Sequence, residues 1–285
     1  MTAGTTIVSE IHSGSGKTQC TIDAQELGLE VYGFYLCQAA PVVTNPSASC
    51  VTLFDRASSP FDLTIAPGSA VKFPADAKVS LPPGNYTHSM ILIAPNLKDK
   101  VVKQFATPKV GNNDSVGHWC WSNGSNVVKG SFTRSSMPVT CGTEAEAAAG
   151  LARSTQENGW VNKNNTPSNE TDVRELGGGI EFTAYVLESR AQLATVTGTS
   201  NTNATTAGTN FLAGVTKLGA PASVTMNTTS LEVGFGLENN GQIVLRENFY
   251  GSCAVSRTID GTTITADNCV VKLGTLGLAT TLEAK

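Results

Sequence analysis

Short apolar or alternating runs, separated by glycine, proline, asparagine and serine, are the feature that most restricts the fold of this chain. Alternation with a period of two is the pattern of a half-buried β-strand, and turns about every eight to twelve residues are typical of β-sandwiches and barrels. The sequence therefore predicts an all-β fold, a β-sandwich with one short helix. The expected strands are residues 29–37, 61–65, 86–94, 101–105, 127–133, 180–187, 223–226, 231–237, 242–246, 253–259 and 269–273.

The run over residues 29–37 is apolar on both of its faces, which predicts a central strand. Strict alternation places Leu29, Val31, Gly33, Tyr35 and Cys37 on one face and Tyr32, Phe34 and Leu36 on the other. Residues 238–241 read Glu-Asn-Asn-Gly, and an Asn-Gly pair between two strand patterns predicts a hairpin turn.

The composition excludes two classes of protein. Lys and Arg number 19 against 23 Asp and Glu, and a net charge of -4 argues against a nucleic-acid binder, because phosphate neutralisation requires a basic face. The longest apolar run, near residues 90–95, is far too short to span a bilayer. The sequence therefore predicts no nucleic-acid partner and no membrane span.

A helix and a polar segment divide the chain near its middle. Residues 143–153 combine Thr143 as a possible N-cap with Glu146 three positions later, which is the pattern of a capping box. Residues 154–172 are polar and carry five asparagines. We therefore expect an arm over 1–19, a β unit over 20–142, the helix and linker over 143–172, and a second β unit over 173–285. The sequence leaves open whether these units are two domains or two halves of one sandwich.

Three pairs of cysteines have the separation of local hairpin bridges. Their spacing predicts disulfides between Cys37 and Cys50, between Cys120 and Cys141, and between Cys253 and Cys269. Local bridges of this kind are typical of proteins that fold in an oxidising compartment. Cys20 is left over, either as a free thiol or as a bond to another subunit.

The motifs that carry chemistry are incomplete in this sequence. Residues 13–18 resemble the end of a phosphate-binding loop but lack its first glycine, and residues 118–120 offer a histidine and a cysteine with no second pair of ligands. Residues 112–115 are rich in oxygen and could contribute to a calcium site, but they lack the other acidic positions of an EF-hand loop. No nucleophile elbow or paired-carboxylate motif is present. We therefore expect a protein that is not an enzyme and has no cofactor.

Residues 81–87 read Leu-Pro-Pro-Gly-Asn-Tyr-Thr and lead into the strand over 86–94. This stretch resembles the turn and strand of transthyretin-like and carbohydrate-binding-like β-sandwich modules. Residues 31–37 and 50–54 are similar to the opening hairpin of some secreted bacterial β-proteins. The resemblance implies a jelly-roll or an immunoglobulin-like or transthyretin-like sandwich, and it implies export, but no functional residue is carried over from it.

The two ends of the chain have strand patterns of their own. Residues 5–11 are β-prone and are separated from the body by a Gly/Ser stretch. A terminal strand can be held in place by insertion into the sheet of a neighbour, or it can pair within its own sheet. We predict a subunit interface formed by Thr5, Thr6, Ile7, Val8, Ser9, Glu10, Ile11 and Cys20.

The resulting hypothesis is a secreted structural protein. It would self-assemble through β-strand exchange into an extracellular filament, tube, pilus-like fibre or surface layer, with copies of itself as partners. One alternative is a structural protein of a phage or virus, such as a capsid, decoration or tail subunit. Another is a carbohydrate-binding adhesin module that uses Trp119, Trp121 or Trp160 as a stacking platform.

Overall fold

The structure is a computed structural model that describes residues 9–12, 17–22, 24–67, 73–74, 77, 81–127, 135, 137–157, 160–161, 174–175, 179–197, 204–207, 210–236, 241–248, 251–275 and 279–285. Within these residues the predicted all-β class is confirmed, with one α-helix, α1, over Glu144–Gly150. The strands of the first half are β1 Ser9–His12, β2 Lys17–Ile22, β3 Glu26–Cys37, β4 Cys50–Asp55, β5 Phe61–Ile65, β6 Gly84–Ile93, β7 Asn96–Lys100, β8 Val102–Val110, β9 Val116–Ser122, β10 Asn126–Val127, β11 Val139–Gly142, β12 Ser154–Glu157 and β13 Trp160–Val161. Those of the second half are β14 Arg174–Glu175, β15 Glu181–Ser189, β16 Gln192–Leu193, β17 Thr195–Thr197, β18 Ala204–Ala207, β19 Phe211–Val224, β20 Leu231–Gly236, β21 Gly241–Arg246, β22 Val255–Ile259, β23 Thr262–Ala266, β24 Cys269–Thr275 and β25 Ala279–Ala284.

Two large sheets contain most of these strands. The first has seven strands in the order β1-β2-β21-β24-β8-β9-β11. The second follows the path β10-β12-β7-β3-β6-β19-β15-β14, with β4 and β5 also on β3 and β16 on β15. Each sheet combines strands from before and after residues 143–172, so the linker does not separate one sheet from the other.

Strand β3 is central, as its two apolar faces predict, but the predicted faces are wrong. Val31 lies opposite Ile93 of β6 while Gly33 lies opposite Leu92, so β3 has one extra residue in a β-bulge. A bulge shifts the alternation by one position. Leu29, Val31, Phe34 and Leu36 therefore share one core, and Tyr35 and Cys37 belong to another.

The larger core lies between the second sheet and a two-stranded sheet formed by β20 and β25. Leu231, Val233 and Phe235 of β20 and Leu282 of β25 pack against it, and the Phe235 ring meets the Phe34 ring edge to face at 6.2 Å between centroids. Two layers closed over a shared apolar interior form a sandwich.

Strands β20 and β21 do not pair with each other, so the predicted hairpin between them is wrong. Strand β20 pairs with β25, whereas β21 pairs with β2 and β24 in the first sheet. Residues 237–240 lie outside the described part of the chain. The Asn-Gly pair favours a turn locally, but hydrogen bonds between strands that are distant in sequence determine which strands pair.

Helix α1 begins with the predicted capping box. The Thr143 side chain accepts the amide hydrogen of Glu146 at 3.2 Å, and the Glu146 carboxylate accepts the amide hydrogen of Thr143 at 2.8 Å. The same carboxylate accepts from the Arg257 guanidinium of β22 at 2.7 Å. Glu146 therefore stabilises the start of the helix and its attachment to the hairpin β22–β23.

We expect this carboxylate to make stability depend on acid. The Arg257 hydrogen bond and the Thr143 amide lower the pKa of Glu146 from its usual 4.5. A lowered pKa means that the contribution is complete above the unfolded value of 4.5 and is lost as the pH falls through the folded value. Urea unfolding of the wild type and of Glu146→Gln should therefore differ at pH 7 and converge towards pH 3.

Two substitutions of Glu146 distinguish the contribution of its charge from the contribution of the capping box. Glutamine still completes a capping box, whereas Glu146→Ala removes it, at an additional cost of about 1 kcal/mol. A difference between the wild type and Glu146→Gln that stays constant from pH 7 to pH 3 would contradict the assignment.

Candidate functional site

The N-terminal strand β1 is the outermost strand of the first sheet. It pairs antiparallel with β2 of its own chain, with Ser9 opposite Cys20 and His12 opposite Lys17. On its other side β2 pairs with β21, where Cys20 lies opposite Ile243. In the single chain, Ser9, Glu10 and Ile11 therefore pair within their own sheet. Thr5, Thr6, Ile7 and Val8 lie outside the described residues, as does the Cys20 side chain, and their role at an interface stays a prediction.

The C-terminal strand β25 is also paired within the chain. Lys285, just beyond it, exchanges two main-chain hydrogen bonds with Ser230, at 3.1 and 3.0 Å. Its ammonium lies 2.7 Å from a carboxylate oxygen of Glu232. Pairing within its own sheet is the second possibility that the sequence left open for a terminal strand.

Among the described side chains there are three disulfides, and they join the pairs that the spacing predicts. Cys37–Cys50 links β3 to β4 and Cys120–Cys141 links β9 to β11, in each case between residues directly opposite each other, with Cα atoms 4.0 and 4.1 Å apart. Cys253–Cys269 ties the segment before β22 to β24, with Cα atoms 5.4 Å apart. Three disulfides in one chain are typical of proteins that fold in an oxidising compartment.

Within the described residues, one side of strand β4 has no pairing strand, and we call this side the β4 edge. Among the strands that the structure describes, β4 pairs only with β3. Its sequence, Cys-Val-Thr-Leu-Phe-Asp, carries no charge before Asp55 and no proline. Edge strands in natural proteins are usually protected by charge, proline, bulges or a covering loop. Among the described residues, a bulge gives β4 some protection of this kind, because it has one extra residue near Leu53, where it shifts register against β3.

The second sheet curls strongly next to this edge. Arg190, after β15, forms an ion pair with Asp55 at the end of β4 and also donates to the carbonyl oxygen of Arg56. Strands β4 and β15 are separated by β3, β6 and β19, which would place them about 19 Å apart in a flat sheet. The contact therefore requires the sheet to bend until its two sides meet at this end.

A second apolar cluster lines the inside of this curl. Met90, Leu92 and Leu187 are buried there, and the rings of Tyr32 and Phe211 meet at 5.1 Å between centroids. The Arg190 guanidinium lies over both rings, at 5.7 and 5.9 Å from their centroids. The rim of the cluster consists of half-buried apolar side chains, Tyr32, Val43, Cys50, Tyr185, Leu193 and Phe211.

Tyr35 connects the inside of the curl to the Asp55–Arg190 contact. Its hydroxyl donates to an Asp55 carboxylate oxygen at 2.9 Å. Burial raises the pKa of Tyr35 well above its usual 10.0, and the hydrogen bond to Asp55 raises it further, so the phenol is neutral at physiological pH. The group serves as a hydrogen-bond donor to the ion pair. Sequence reasoning missed this cluster because Asp55 and Arg190 are 135 positions apart.

The structure describes the side chains of two of the three tryptophans considered for sugar stacking, Trp119 and Trp121. Trp121 is only 4% exposed and packs on α1, where a Cβ atom at Gly150 would come within 2.9 Å of its indole nitrogen. Trp121 is therefore unavailable as a platform. Trp119 is half-buried, and the Trp160 side chain lies outside the described residues.

The oxygen-rich turn at residues 112–115 holds strand β11. The Asn112 side-chain oxygen accepts from the Thr140 hydroxyl at 2.9 Å, and the Ser115 hydroxyl oxygen accepts from the Cys141 amide at 3.0 Å. The turn therefore covers the outer side of β11. No group of three or more His, Cys, Asp or Glu side chains suited to a metal ion occurs in the described part of the chain.

The burial of a lysine in β8 was not anticipated from the sequence. Lys109 of β8 is 7% exposed, and its ammonium donates to the Thr107 hydroxyl at 2.6 Å. Burial lowers the pKa of Lys109, although the charge of Asp267 opposes the change. A lysine in a strand is normally predicted to be solvent-exposed, so the local sequence gives no indication that Lys109 is buried.

An open groove of about 460 Å³ lies between the turn before β6 and the turn after β19. Met226 at its wall is 88% exposed. The described residues that line it carry no ionisable side chain: Leu81, Pro82, Pro83, Val224, Thr225, Met226, Thr228, Thr229, Ser230 and Leu231.

No helix in the described residues is long and apolar enough to cross a membrane. Comparison of the chain with protein-family models, with curated proteins and with solved structures found no match.

Proposed function

We propose that the chain is a secreted structural subunit that polymerises by β-strand exchange into an extracellular filament, tube, pilus-like fibre or surface layer. The observation that carries the proposal is the position of β1. This strand is the outermost of its sheet and contacts the body through four residue pairs with β2. It can leave β2 with the loss of that one ladder, and no other described strand has to move.

The exchange mechanism follows from symmetry. A strand that leaves its own chain and pairs with the next copy makes a head-to-tail contact, and repetition of a rotation that does not close generates an open helical polymer. Three disulfides support a body that persists outside the cytoplasm. In this proposal the chain performs no catalysis.

Deletion of residues 1–12 tests the proposal. We expect the full-length protein to form fibres or sheets by negative-stain electron microscopy. The truncated protein should remain monomeric by sedimentation, because it lacks the donor strand. Its far-UV circular dichroism and thermal transition should stay close to those of the full-length protein, since only β1 is removed.

A substitution of equal chain length provides the control. Ile7→Asp keeps the arm but places a charge where a donor strand would pack, and it should also block assembly, whereas Thr5→Ser should not. Fibres of the truncated protein, or a full-length protein that stays monomeric at all concentrations, would show that the proposal is wrong.

A further inference from the structure

We propose that the β4 edge of one copy is the acceptor for residues 5–11 of the next copy. This inference rests on the proposed function and specifies the partner surface: a second copy of this chain adds its N-terminal strand to β4, and the second sheet becomes one strand wider.

The backbone of β4 is oriented for such an addition. Cys50 lies directly opposite Cys37 with Cα atoms 4.0 Å apart, the spacing of a non-hydrogen-bonded pair in an antiparallel ladder. Thr52 lies opposite Tyr35, two positions further along, and belongs to the same kind of pair. In these pairs the N–H and C=O groups point away from the partner strand. Cys50 and Thr52 therefore direct two donors and two acceptors outwards.

Strand β11 differs from β4 because its outer edge is covered by another part of the chain. Strand β11 is also outermost in its sheet, but the Ser115 hydroxyl accepts its Cys141 amide hydrogen, and the turn at 112–115 covers it. Along the β4 edge, the described residues include no such cover and no pairing strand. Five uncharged residues, 50–54, precede the single charge of Asp55, and Arg190 already pairs with that charge.

The pattern of the donor segment suits both faces of this edge. On one face Val51 packs against the larger core, and on the other Cys50 and Val43 belong to the rim of the curl. In an extended strand Ile7 and Ile11 share one face and Val8 lies on the other. A segment of seven residues also matches the six residues of β4 in length. The added strand would therefore extend apolar packing on both faces.

Thr52→Pro tests the acceptor directly. Proline removes the outward N–H of Thr52, and a residue whose N–H faces solvent on an edge strand tolerates proline because the ladder to β3 does not use that group. We expect the sedimentable fraction to fall at least tenfold relative to the wild type. Thr52→Ala, which keeps the N–H, should assemble normally. Assembly of Thr52→Pro at the wild-type level would overturn the inference.

A photo-cross-link provides a second measurement that does not depend on how proline is tolerated. With benzoylphenylalanine at position 52, irradiation of assembled protein should yield intermolecular adducts that mass spectrometry maps to residues 5–11. The same probe at the exposed position 263 of β23 should not yield them. Adducts absent from position 52, in material whose assembly depends on residues 1–12, would refute the β4 acceptor and leave strand exchange standing. Absence of any assembly in the full-length protein would instead refute the proposed function.

Discussion

Replacement of both Cys120 and Cys141 by alanine should lower the free energy of unfolding by about 3 kcal/mol. The bridge closes a segment of 21 residues, and its loss restores conformational freedom to the unfolded chain. Both side chains are fully buried beside Phe105, Val139 and Ile243, so the truncation also removes packed atoms from the first sheet's core. Urea unfolding monitored by tryptophan fluorescence and far-UV circular dichroism measures the loss.

The Cys37–Cys50 bridge is the matched control. It closes a shorter segment, of 13 residues, and its Cys50 side chain is only half-buried. Replacement of that pair by alanine should therefore cost less than replacement of Cys120 and Cys141. A loss below about 1 kcal/mol for Cys120→Ala/Cys141→Ala would contradict a role for this bridge in stabilising the fold.

The cysteine pairs and α1 show which features local sequence can predict. Cys120 and Cys141 lie on paired strands and are only 21 positions apart, so their separation in sequence already limits their separation in space. The capping box of α1 spans four residues, from Thr143 to Glu146, and forms from its own backbone and side chains. Both features are determined within one short segment.

Features that depend on distant segments were not predictable in this way. The bulge between Val31 and Gly33 is defined against β6, and the pairing of β20 with β25 joins residues about 50 positions apart. The curl requires Asp55 and Arg190 to meet although three strands separate β4 from β15. A period of two in hydrophobicity identifies a strand, but it contains no information about which neighbour the strand pairs with.

The same distinction applies to the candidate assembly site. The β-prone pattern of residues 5–11 is local and is visible in the sequence. The acceptor edge cannot be recognised in the sequence, because a strand is an edge only when no second strand pairs with it. The sequence of Cys50–Asp55 has the same pattern as that of a strand paired on both sides. The charge pattern gives one indication, since residues 50–54 lack the lysine or proline that usually protects an exposed edge.

Gly117→Ala should destabilise the protein by about 3 kcal/mol, through a clash between two backbones. A Cβ atom at Gly117 of β9 would overlap the carbonyl group and Cα of Gly142 at the end of β11. A flexible side chain could rotate away, but a main chain cannot move without disturbing its hydrogen bonds. Gly142 also precedes Thr143, so any displacement would carry the N-cap of α1 with it.

Gly261→Ala provides the comparison that separates overlap from backbone strain. Gly261 lies in the β22–β23 turn at φ +77°, and no atom lies within 4 Å of the position that an added Cβ would occupy. Alanine there should therefore cost only about 1 kcal/mol, through the left-handed conformation. Urea unfolding of the two variants gives the difference, and far-UV circular dichroism reports whether α1 is retained. Suppose that Gly117→Ala lowered the free energy of unfolding no more than Gly261→Ala. The close contact between Gly117 of β9 and Gly142 at the end of β11 would then be refuted.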